Sequence, residues 1–571
     1  MKIKGVIFDV GQTLSNQLDK ERLEERNKKY YAYVYQQILS KDLTRLFEHL
    51  EAQGQEKFVE DLNTLNMFTR AEKNRSTEVL TEYRMSEQTL DVLIKFEENA
   101  GKTIEKNEVK GEVLPVLDQI YSGTEALDEG VYELWPDTKE VLEFLREKKG
   151  YVLGLASNTA HPVKHEHMLA RLGITPLIDH FAVSSYIGVR KPNPEMVKIL
   201  LKKMNLTEDQ VIVVGDLLDR DILMGNLAGV RTVWINAIPY SLDQNLKRIR
   251  EGELKYRPSA GIVCLSQLPG TIEYLDKGGC RGQLKVAYYF PSLRKKLETG
   301  KQRAFVSNDR VSYMPVELRA PIENLGEFDV IVHKVTDLLL SEDENAKEGI
   351  RNLQNYLSSH PNVLVLDPIE SLQFTNYRSK LSTSWPELSV KGIKVRCPAL
   401  YTQSNCVFPC ILKSDVACQV PHSHDMSILT DPDSLTKAIS EFPLPYILQE
   451  WIDHSAMFKV YILGEFFQAS PCKVISAKSE PIHFNSTKIP EDLLVNRDLA
   501  LDSEVLSVIN KTLKQTTGLG LLSYDLAVEK SSGAYIIVDL NYFPGYYTVE
   551  NYPELMDEYI LSSYSAFNSN R

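Results

Sequence analysis

The sequence predicts an α/β chain of two successive domains, and three observations carry that prediction. Over roughly the first 276 residues, short apolar strands alternate with amphipathic helices, the pattern of a parallel sheet. Near the carboxyl end, two β-rich runs flank the turn-forming cluster Ser531-Ser532-Gly533 and predict a hairpin. Between these regions, Asp276-Lys277-Gly278-Gly279-Cys280-Arg281-Gly282-Gln283 is polar and glycine-rich, the best boundary in the chain. The expected organisation is a first domain over 1–276, a linker over 277–283 and a second domain over 284–571.

The length of 571 residues allows three or four average domains or two large ones. Hydrophobic content of 43% and charged content of 25% are those of an ordinary globular protein. A net charge of −13 argues against a nucleic-acid binder or a basic membrane-surface protein. An anionic substrate must then be drawn by a local cluster of Lys, Arg and His. No apolar run approaches the roughly 20 residues of a spanning helix. The start, Met1-Lys2-Ile3-Lys4-Gly5-Val6, enters an apolar strand without the shape of a signal peptide. The seven cysteines form no CxxC or Cys/His metal spacing. These features predict a cytoplasmic protein with reduced thiols and no membrane insertion.

In the first domain, Val6-Ile7-Phe8 form a strand that ends in Asp9, followed by Gly11. Residues 19–110 are charged and helix-forming with few Gly or Pro, and so read as a helical insertion, a cap of about 17–125. Pro136-Asp137 open an amphipathic helix with Val141, Leu142, Phe144 and Leu145 on one side. The buried strand 151–156 ends in Ser157-Asn158, and Arg190-Lys191-Pro192 precede another helix. The strand 211–214 ends in Gly215-Asp216, with Asp219 and Asp221 just beyond. Ligands of parallel α/β sheets bind at the carboxyl ends of strands, which marks Asp9, Ser157 and Asp216 as candidates.

This order of residues resembles the haloacid dehalogenase-like (HAD) phosphatase superfamily, a Rossmannoid parallel sheet with a helical cap. The resemblance implies that Asp9 is a nucleophile forming an aspartyl-phosphate, while Ser157 and Lys191 hold phosphoryl oxygens. It places one Mg²⁺ on Asp9, the Gly11 carbonyl and Asp216, with help from Asp221. The family's second Asp, two residues after the nucleophile, is replaced here by Gly11. Glycine cannot protonate a leaving oxygen, a service typically worth about 10²–10⁴-fold. Asp219 and Asp221 therefore read as metal-side or structural groups, and phosphatase activity is left open.

In the second domain, apolar strands at 285–290 and 329–333 lead to His333 and Lys334. Arg378 stands at a helix start, Lys413 ends a strand, Ser423-His424 follow a loop, and Lys459 lies in an apolar run. In the terminal hairpin, Asp525 and Asp539 both sit seven residues from Ser532 and so face each other. Opposed cross-strand Cβ atoms lie about 4.5–5.5 Å apart, where like charges repel. Asn541 projects from the same face, while Tyr524, Leu526, Val528, Ile536, Val538 and Leu540 form the expected core face. Two carboxylates and an amide oxygen are hard ligands, the set Mg²⁺ accepts alongside substrate phosphates. With Arg378, Lys413 and Lys459 upstream, the inventory suits phosphoryl transfer, where catalysis is positioning and charge neutralisation.

These segments resemble the ATP-grasp inositol 1,3,4-trisphosphate 5/6-kinase family over roughly residues 284–565. The matching motifs are Asp329-Val-Ile-Val-His-Lys-Val-Thr-Asp337, Arg378-Ser-Lys380, the Lys413 strand, Ser423-His-Asp-Met426, Gln449-Glu-Trp-Ile-Asp-His454, Phe458-Lys-Val-Tyr-Ile-Leu-Gly-Glu465 and Asp539-Leu-Asn-Tyr-Phe-Pro-Gly-Tyr546. The resemblance implies an ATP-grasp α+β domain with ATP as co-substrate and two Mg²⁺ ions on Asp525, Asp539 and Asn541. Arg378 and Lys413 would hold ATP phosphates, and Gln449, Glu450, Trp451 and Ile452 the adenine side. His424 and Lys459 would grip the inositol phosphates at the catalytic centre, with Lys334, Asn541, Gly545 and one of Arg294, Lys295 or Lys296 assisting. Two departures stand out: the family's small, Gly-containing run is Cys418-Gln419-Val420-Pro421 here, and its Arg-Pro-Ser is Ser470-Pro471-Cys472. The expected function is an ATP- and Mg-dependent inositol polyphosphate kinase fused to a HAD-like domain. The alternatives are a bifunctional kinase and phosphatase, an ATP-grasp carboxylate ligase, or a non-catalytic inositol phosphate-binding protein.

Overall fold

The computed structural model describes residues 2–17, 20–75, 84–122, 132–159, 162–236, 239–278, 283–290, 304–417, 423–442, 445–472, 474–475, 480–485, 494–495 and 500–571. Two groups of expectations, the cations Arg294, Lys295 and Lys296 and the 418–421 loop, lie outside these residues. The chain divides into two compact units, Met1–Arg281 with Ser307–Asp309, and Gly282–Val306 with Arg310–Arg571. Among the described residues, no helix is long and apolar enough to cross a membrane.

The first unit is built on a six-stranded sheet in the order His180–Val183, Val152–Ser157, Gly5–Phe8, Val211–Gly215, Arg231–Ile235, Ala260–Ile262. Every pairing is parallel. The strands are apolar on both faces because helices cover both. Val6, Phe8, Leu153, Leu155 and Ile212 pack into one layer, while Ile7, Ala156, Val211 and Val213 pack into the other. From the central strand Gly5–Phe8 the chain builds outward on one side, then returns to build on the other. That reversal creates the crevice where parallel sheets bind ligands.

Four helices, Lys20–Ser40, Leu50–Arg75, Met85–Asn99 and Lys106–Ser122, follow the first strand. They enclose a core of their own, with Tyr31, Phe47, Phe58, Phe96 and Tyr121 among its largest members.

Among the described residues, the second unit contains three larger sheets and a two-stranded ribbon of Val474–Ile475 and Leu494–Val495. A parallel four-stranded sheet runs Val311–Pro315, Leu284–Tyr289, Val330–His333, Leu364–Leu366. A six-stranded sheet runs Leu388–Val390, Ile393–Arg396, Tyr535–Tyr542, Leu521–Glu529, His454–Leu463, Phe466–Cys472. It is antiparallel except where Ile393–Arg396 joins Tyr535–Tyr542. The third sheet is antiparallel throughout, in the order Leu400–Tyr401, Tyr446–Glu450, Cys410–Ser414, Asp425–Leu429, Ile482–Asn485. The third sheet and the hairpin of the second share one cavity, which holds most of the chemistry.

Candidate active sites

In the first unit, Ser157, Asp9 and Asp216 sit at the carboxyl ends of three adjacent strands. Lys191 joins them: its buried Nζ donates to Asp9 Oδ1 at 2.5 Å and to Asp221 Oδ1 at 2.7 Å. Asn158 clamps the Lys191 backbone from both sides, accepting from its N–H at 2.9 Å and donating to its carbonyl at 3.3 Å. Burial pushes the Asp9 carboxyl up to about 6, Asp221 adding to the rise and Lys191 opposing it. The same two carboxylates hold Lys191 above the usual lysine range despite its burial.

Carboxylate oxygens of Asp9, Asp216 and Asp221 lie within 4.8 Å of one another. Three hard anionic donors so close, with one Lys among them, fit a hard divalent cation. Asp221, expected only to assist, thus stands with Asp9 and Asp216 in this cluster. Asp219 does not belong: Arg248 donates to it through Nε and Nη2, each at 3.1 Å, and Gln244 Nε2 at 2.6 Å. Gly215 lets Asp221 in, since a Cβ there would lie 2.2 Å from the Asp221 side chain. Gly11 is exposed, and a Cβ built on it meets nothing within 4 Å.

In the second unit, Asp525 and Asp539 are direct cross-strand partners, and Ser523 faces Asn541 one step beyond. The pairing reaches this register through a β-bulge. Nearer the turn, Leu526 pairs with Ile537, so a regular ladder would set Val538 opposite Asp525. Val538 is instead the extra residue, and Asp539 is re-aimed onto the polar face. The bulge corrects one expectation. Ile536 is the partner of Ala527, and Ala527 and Val538 line the cavity beside both acids. Ile536 and Val538 thus belong to the site face, and Ile537 takes their place on the core face with Tyr524, Leu526 and Leu540.

Three cations converge on the pair. Lys459 is the cross-strand neighbour of Asp525 on the next strand, and its Nζ donates to Asp525 Oδ1 at 3.2 Å. Lys413 reaches from the other sheet, 3% exposed, and donates to the Val538 carbonyl at 3.3 Å. Arg378 is held through Nη1 by the Ser414 carbonyl at 2.7 Å, with Nε 3.6 Å from Asp539 Oδ1 and without a hydrogen-bond partner.

The fields around the two acids separate their protonation. Burial, then Asp539, pushes the Asp525 carboxyl up against the pull of Lys459. Burial acts on Asp539 in the same sense, but Arg378 and Lys413 outweigh it and hold that carboxyl below the usual range. Lys413 itself is pushed down to about 8, by burial first, with Asp539 opposing and Arg378 assisting. The unsatisfied Arg378 Nε and a crowded pair of carboxylates fit a bound anion together with a hard cation.

The cavity is about 410 Å³. Lys413, Lys459, Asp525 and Asp539 line it together; two residues along their strands stand Ile411, with Gln449 in its register row, and Met457, while Met426 and Phe484 stand in the row of Lys413, and Glu450, Trp451 and Ile452 complete this part of the lining. The four residues expected on the adenine side all line this cavity, although the Glu450 carboxylate is already bound by Arg396 at 2.5 and 2.9 Å. Asn541 lies beyond the acid pair on its strand, Gly545 is half-buried in the loop that follows, and Lys334 Nζ donates to the Tyr542 and Phe543 carbonyls at 2.9 and 3.1 Å. His424 is exposed at the start of Asp425–Leu429 and does not line the cavity. His333 is fully buried, donates to the Asp367 carbonyl at 2.9 Å and is kept neutral by burial; it is a structural residue, not part of a basic set.

Sequence reasoning missed His454, Met457 and Phe484 in the lining, and Arg396 as the partner of Glu450. Alternation along Phe458-Lys459 could have found Met457, which shares the face of Lys459. The others depend on packing between sheets.

Comparison with known proteins agrees with this division. Residues 3–229 match the haloacid dehalogenase-like hydrolase family. Residues 286–372 match the inositol 1,3,4-trisphosphate 5/6-kinase pre-ATP-grasp domain, and residues 383–562 the ATP-grasp domain of the same kinase. The chain is 28% identical over 321 residues to inositol-tetrakisphosphate 1-kinase of Danio rerio, covering 49% of this chain and 78% of that protein. It is 29% identical over 358 residues to inositol-tetrakisphosphate 1-kinase 6 of Oryza sativa subsp. indica, covering 53% of this chain and 65% of that protein. Among solved structures, a 2-haloacid dehalogenase from Pseudomonas syringae pv. Tomato DC3000 matches at 20% identity with a TM-score of 0.30, over 48% of this chain and 99% of that one. The chain thus joins a haloacid dehalogenase-like domain to an inositol 1,3,4-trisphosphate 5/6-kinase ATP-grasp domain.

Proposed function

We propose that the second domain is an ATP- and Mg²⁺-dependent inositol polyphosphate kinase. One observation carries the reading: Lys413, Arg378 and Lys459 gather on the Asp525–Asp539 pair in a cavity that apolar side chains also line. An apolar slot continuous with cations and paired acids suits a nucleoside triphosphate and the transfer of its terminal phosphoryl group. The curated relatives are named for an inositol phosphate acceptor, which supplies the substrate class.

On this reading Asp525, Asp539 and Asn541 hold two Mg²⁺ ions, which when bound neutralise phosphate charge and align the terminal phosphoryl group. Arg378 and Lys413 bind the nucleotide phosphates, with Arg378 Nε free to donate. Gln449 through Ile452 flank the base. Lys459, beside Asp525, orients the incoming acceptor, and Lys334, Asn541 and Gly545 border the space it occupies. His424 is the further acceptor-side group on this reading.

A second activity is favoured by the first-domain cluster of Asp9, Asp216, Asp221 and Lys191. There Asp9 would attack the phosphorus of a phosphomonoester while Ser157 and Lys191 hold its oxygens, expelling the alcohol, and water would then split the aspartyl-phosphate to phosphate and free Asp9, giving one chain that adds and removes phosphate.

Turnover of the full chain with ATP, Mg²⁺ and a panel of inositol phosphates tests the first reading beside Asp539→Ala. A more highly phosphorylated product, absent in the variant, is the expected result. ATP consumption by neither protein across the panel would overturn the kinase. The same panel without ATP, beside Asp9→Ala, tests phosphate release.

A further inference from the structure

The hairpin that carries the acid pair holds a buried polar atom that the protein leaves unmet. Ser523 is fully buried, and among the described residues its Oγ has no hydrogen-bond partner. It shares a face with Asp525, two residues along the strand, and stands directly opposite Asn541. Its other same-face neighbours offer it no bond. Tyr461, opposite on the neighbouring strand, sends its hydroxyl to Thr548, and Asp525 is engaged by Lys459. Leu521, two residues back, is apolar. Asn541 is the half-buried group that remains, and its amide carries both a donor and an acceptor.

Directly opposed cross-strand Cβ atoms lie about 4.5–5.5 Å apart, a gap that a serine and an asparagine close with one hydrogen bond. A buried hydroxyl without a partner costs free energy until one is supplied. A hard cation takes only the oxygen of an amide, yet half a turn of the flat amide exchanges oxygen for nitrogen. We propose that Ser523 is the positioning residue that makes this choice: in the cation-loaded site Asn541 Nδ2 donates to Ser523 Oγ, which leaves Asn541 Oδ1 to the cation. The inference rests on the kinase reading for Asn541 as a ligand and adds the residue that sets its orientation. Ser523 touches neither nucleotide nor acceptor and acts through Asn541 alone.

The test uses the full chain with Mg²⁺ and a non-hydrolysable ATP analogue, β,γ-imido-ATP, in wild type, Ser523→Ala, Asn541→Ala and the double variant. In chelator, Ser523→Ala should melt no lower than wild type, because the hydroxyl it removes is unmet there. The Mg²⁺ concentration giving half of the analogue-dependent rise in melting temperature should increase about 3- to 10-fold, the scale of one hydrogen bond. Turnover should show the same rise in Mg²⁺ requirement, with the KM for Mg·ATP nearly unchanged. Once Asn541 is alanine, Ser523→Ala should have no further effect on that requirement. Should Ser523→Ala fail to fold, Ser523→Cys, which keeps a similar size but weakens the acceptor, carries the same test. An unchanged Mg²⁺ requirement in a folded variant overturns the proposal. So does a rise that persists when Asn541 is already alanine. A change confined to the KM of the inositol phosphate overturns it too, since the hydroxyl would then hold the amide the other way round. These outcomes leave the kinase standing. Absence of any shift with Mg²⁺ and the analogue in wild type overturns the kinase reading and the inference with it.

Discussion

Asp525 faces Asp539 because Val538 is an extra residue in its strand, and the displaced Val538 carbonyl is taken by Lys413 from the opposite sheet. The two acids are therefore unlike despite their symmetric placement, one pushed up and the other held down.

Neutralising the two acids should move stability in opposite directions. Asp525→Asn removes a buried charge that burial and its neighbour already disfavour, so the ligand-free protein should melt slightly higher, by up to about 1 kcal/mol. Asp539→Asn strands Arg378 and Lys413 as buried cations, at a cost on the order of 1–3 kcal/mol. Both variants should lose Mg²⁺-dependent turnover. Thermal melts in chelator, where both variants shift the same way, would contradict the asymmetry.

The Lys413 ammonium is pushed down to about 8, so from there to the ordinary lysine range the unfolded chain holds a proton that the folded chain has lost. The ligand-free protein should accordingly gain stability as pH rises through that window, and the burial penalty should be fully present below it. Phosphate binding needs the charged form, so nucleotide affinity should fall above about pH 8 and binding there should take up a proton. Calorimetry in two buffers of different ionisation enthalpy measures that uptake. Lys413→Arg should abolish it.

Gly11 has room for a side chain. Gly11→Asp should leave the melting temperature nearly unchanged and, if Asp9 is a working nucleophile, raise phosphate release from an alkyl phosphomonoester by about 10²-fold or more. A folded Gly11→Asp protein with no gain, while Asp9→Ala is equally inert, would mark the first domain as non-hydrolytic.

Gly215→Ala should do the reverse. Its Cβ would fall 2.2 Å from the Asp221 side chain, so Asp221 must leave Lys191 and the acid cluster. Overpacking of this kind costs about 1–3 kcal/mol. Mg²⁺ should no longer raise the melting temperature of that domain, a shift that wild type is expected to show.

Much of this arrangement could be read from residue order. The strand-ending acids Asp9 and Asp216 followed from apolar runs with a carboxylate after them, because a parallel sheet places such ends together. The Asp525–Asp539 pairing followed from the distance of each to Ser532. That count succeeded because the true hairpin, offset by half a residue, is corrected by the bulge; the faces of Ile536 and Val538 were misassigned for the same reason. Bulges depend on cross-strand packing that no single strand encodes. Glu450 illustrates another limit. Its place in the lining was legible, but its carboxylate is occupied by Arg396, a contact between residues 54 apart in sequence. His333 ends an apolar strand beside Lys334 in the sequence; burial inside the parallel sheet makes it a core residue.

Along the terminal hairpin, Ala527, the Asp525–Asp539 pair and Asn541 follow one another on one face, and on the proposed reading they would border the base, the transfer point and the acceptor in turn. Successive same-face residues on a strand are separated by about 6.8 Å, a spacing set by covalent backbone geometry. The hairpin is thus a ruler whose graduations cannot drift. On the proposed reading, the spacing between the nucleotide and acceptor ends of the site would be fixed by backbone geometry, and the choice of acceptor would fall to side chains around it.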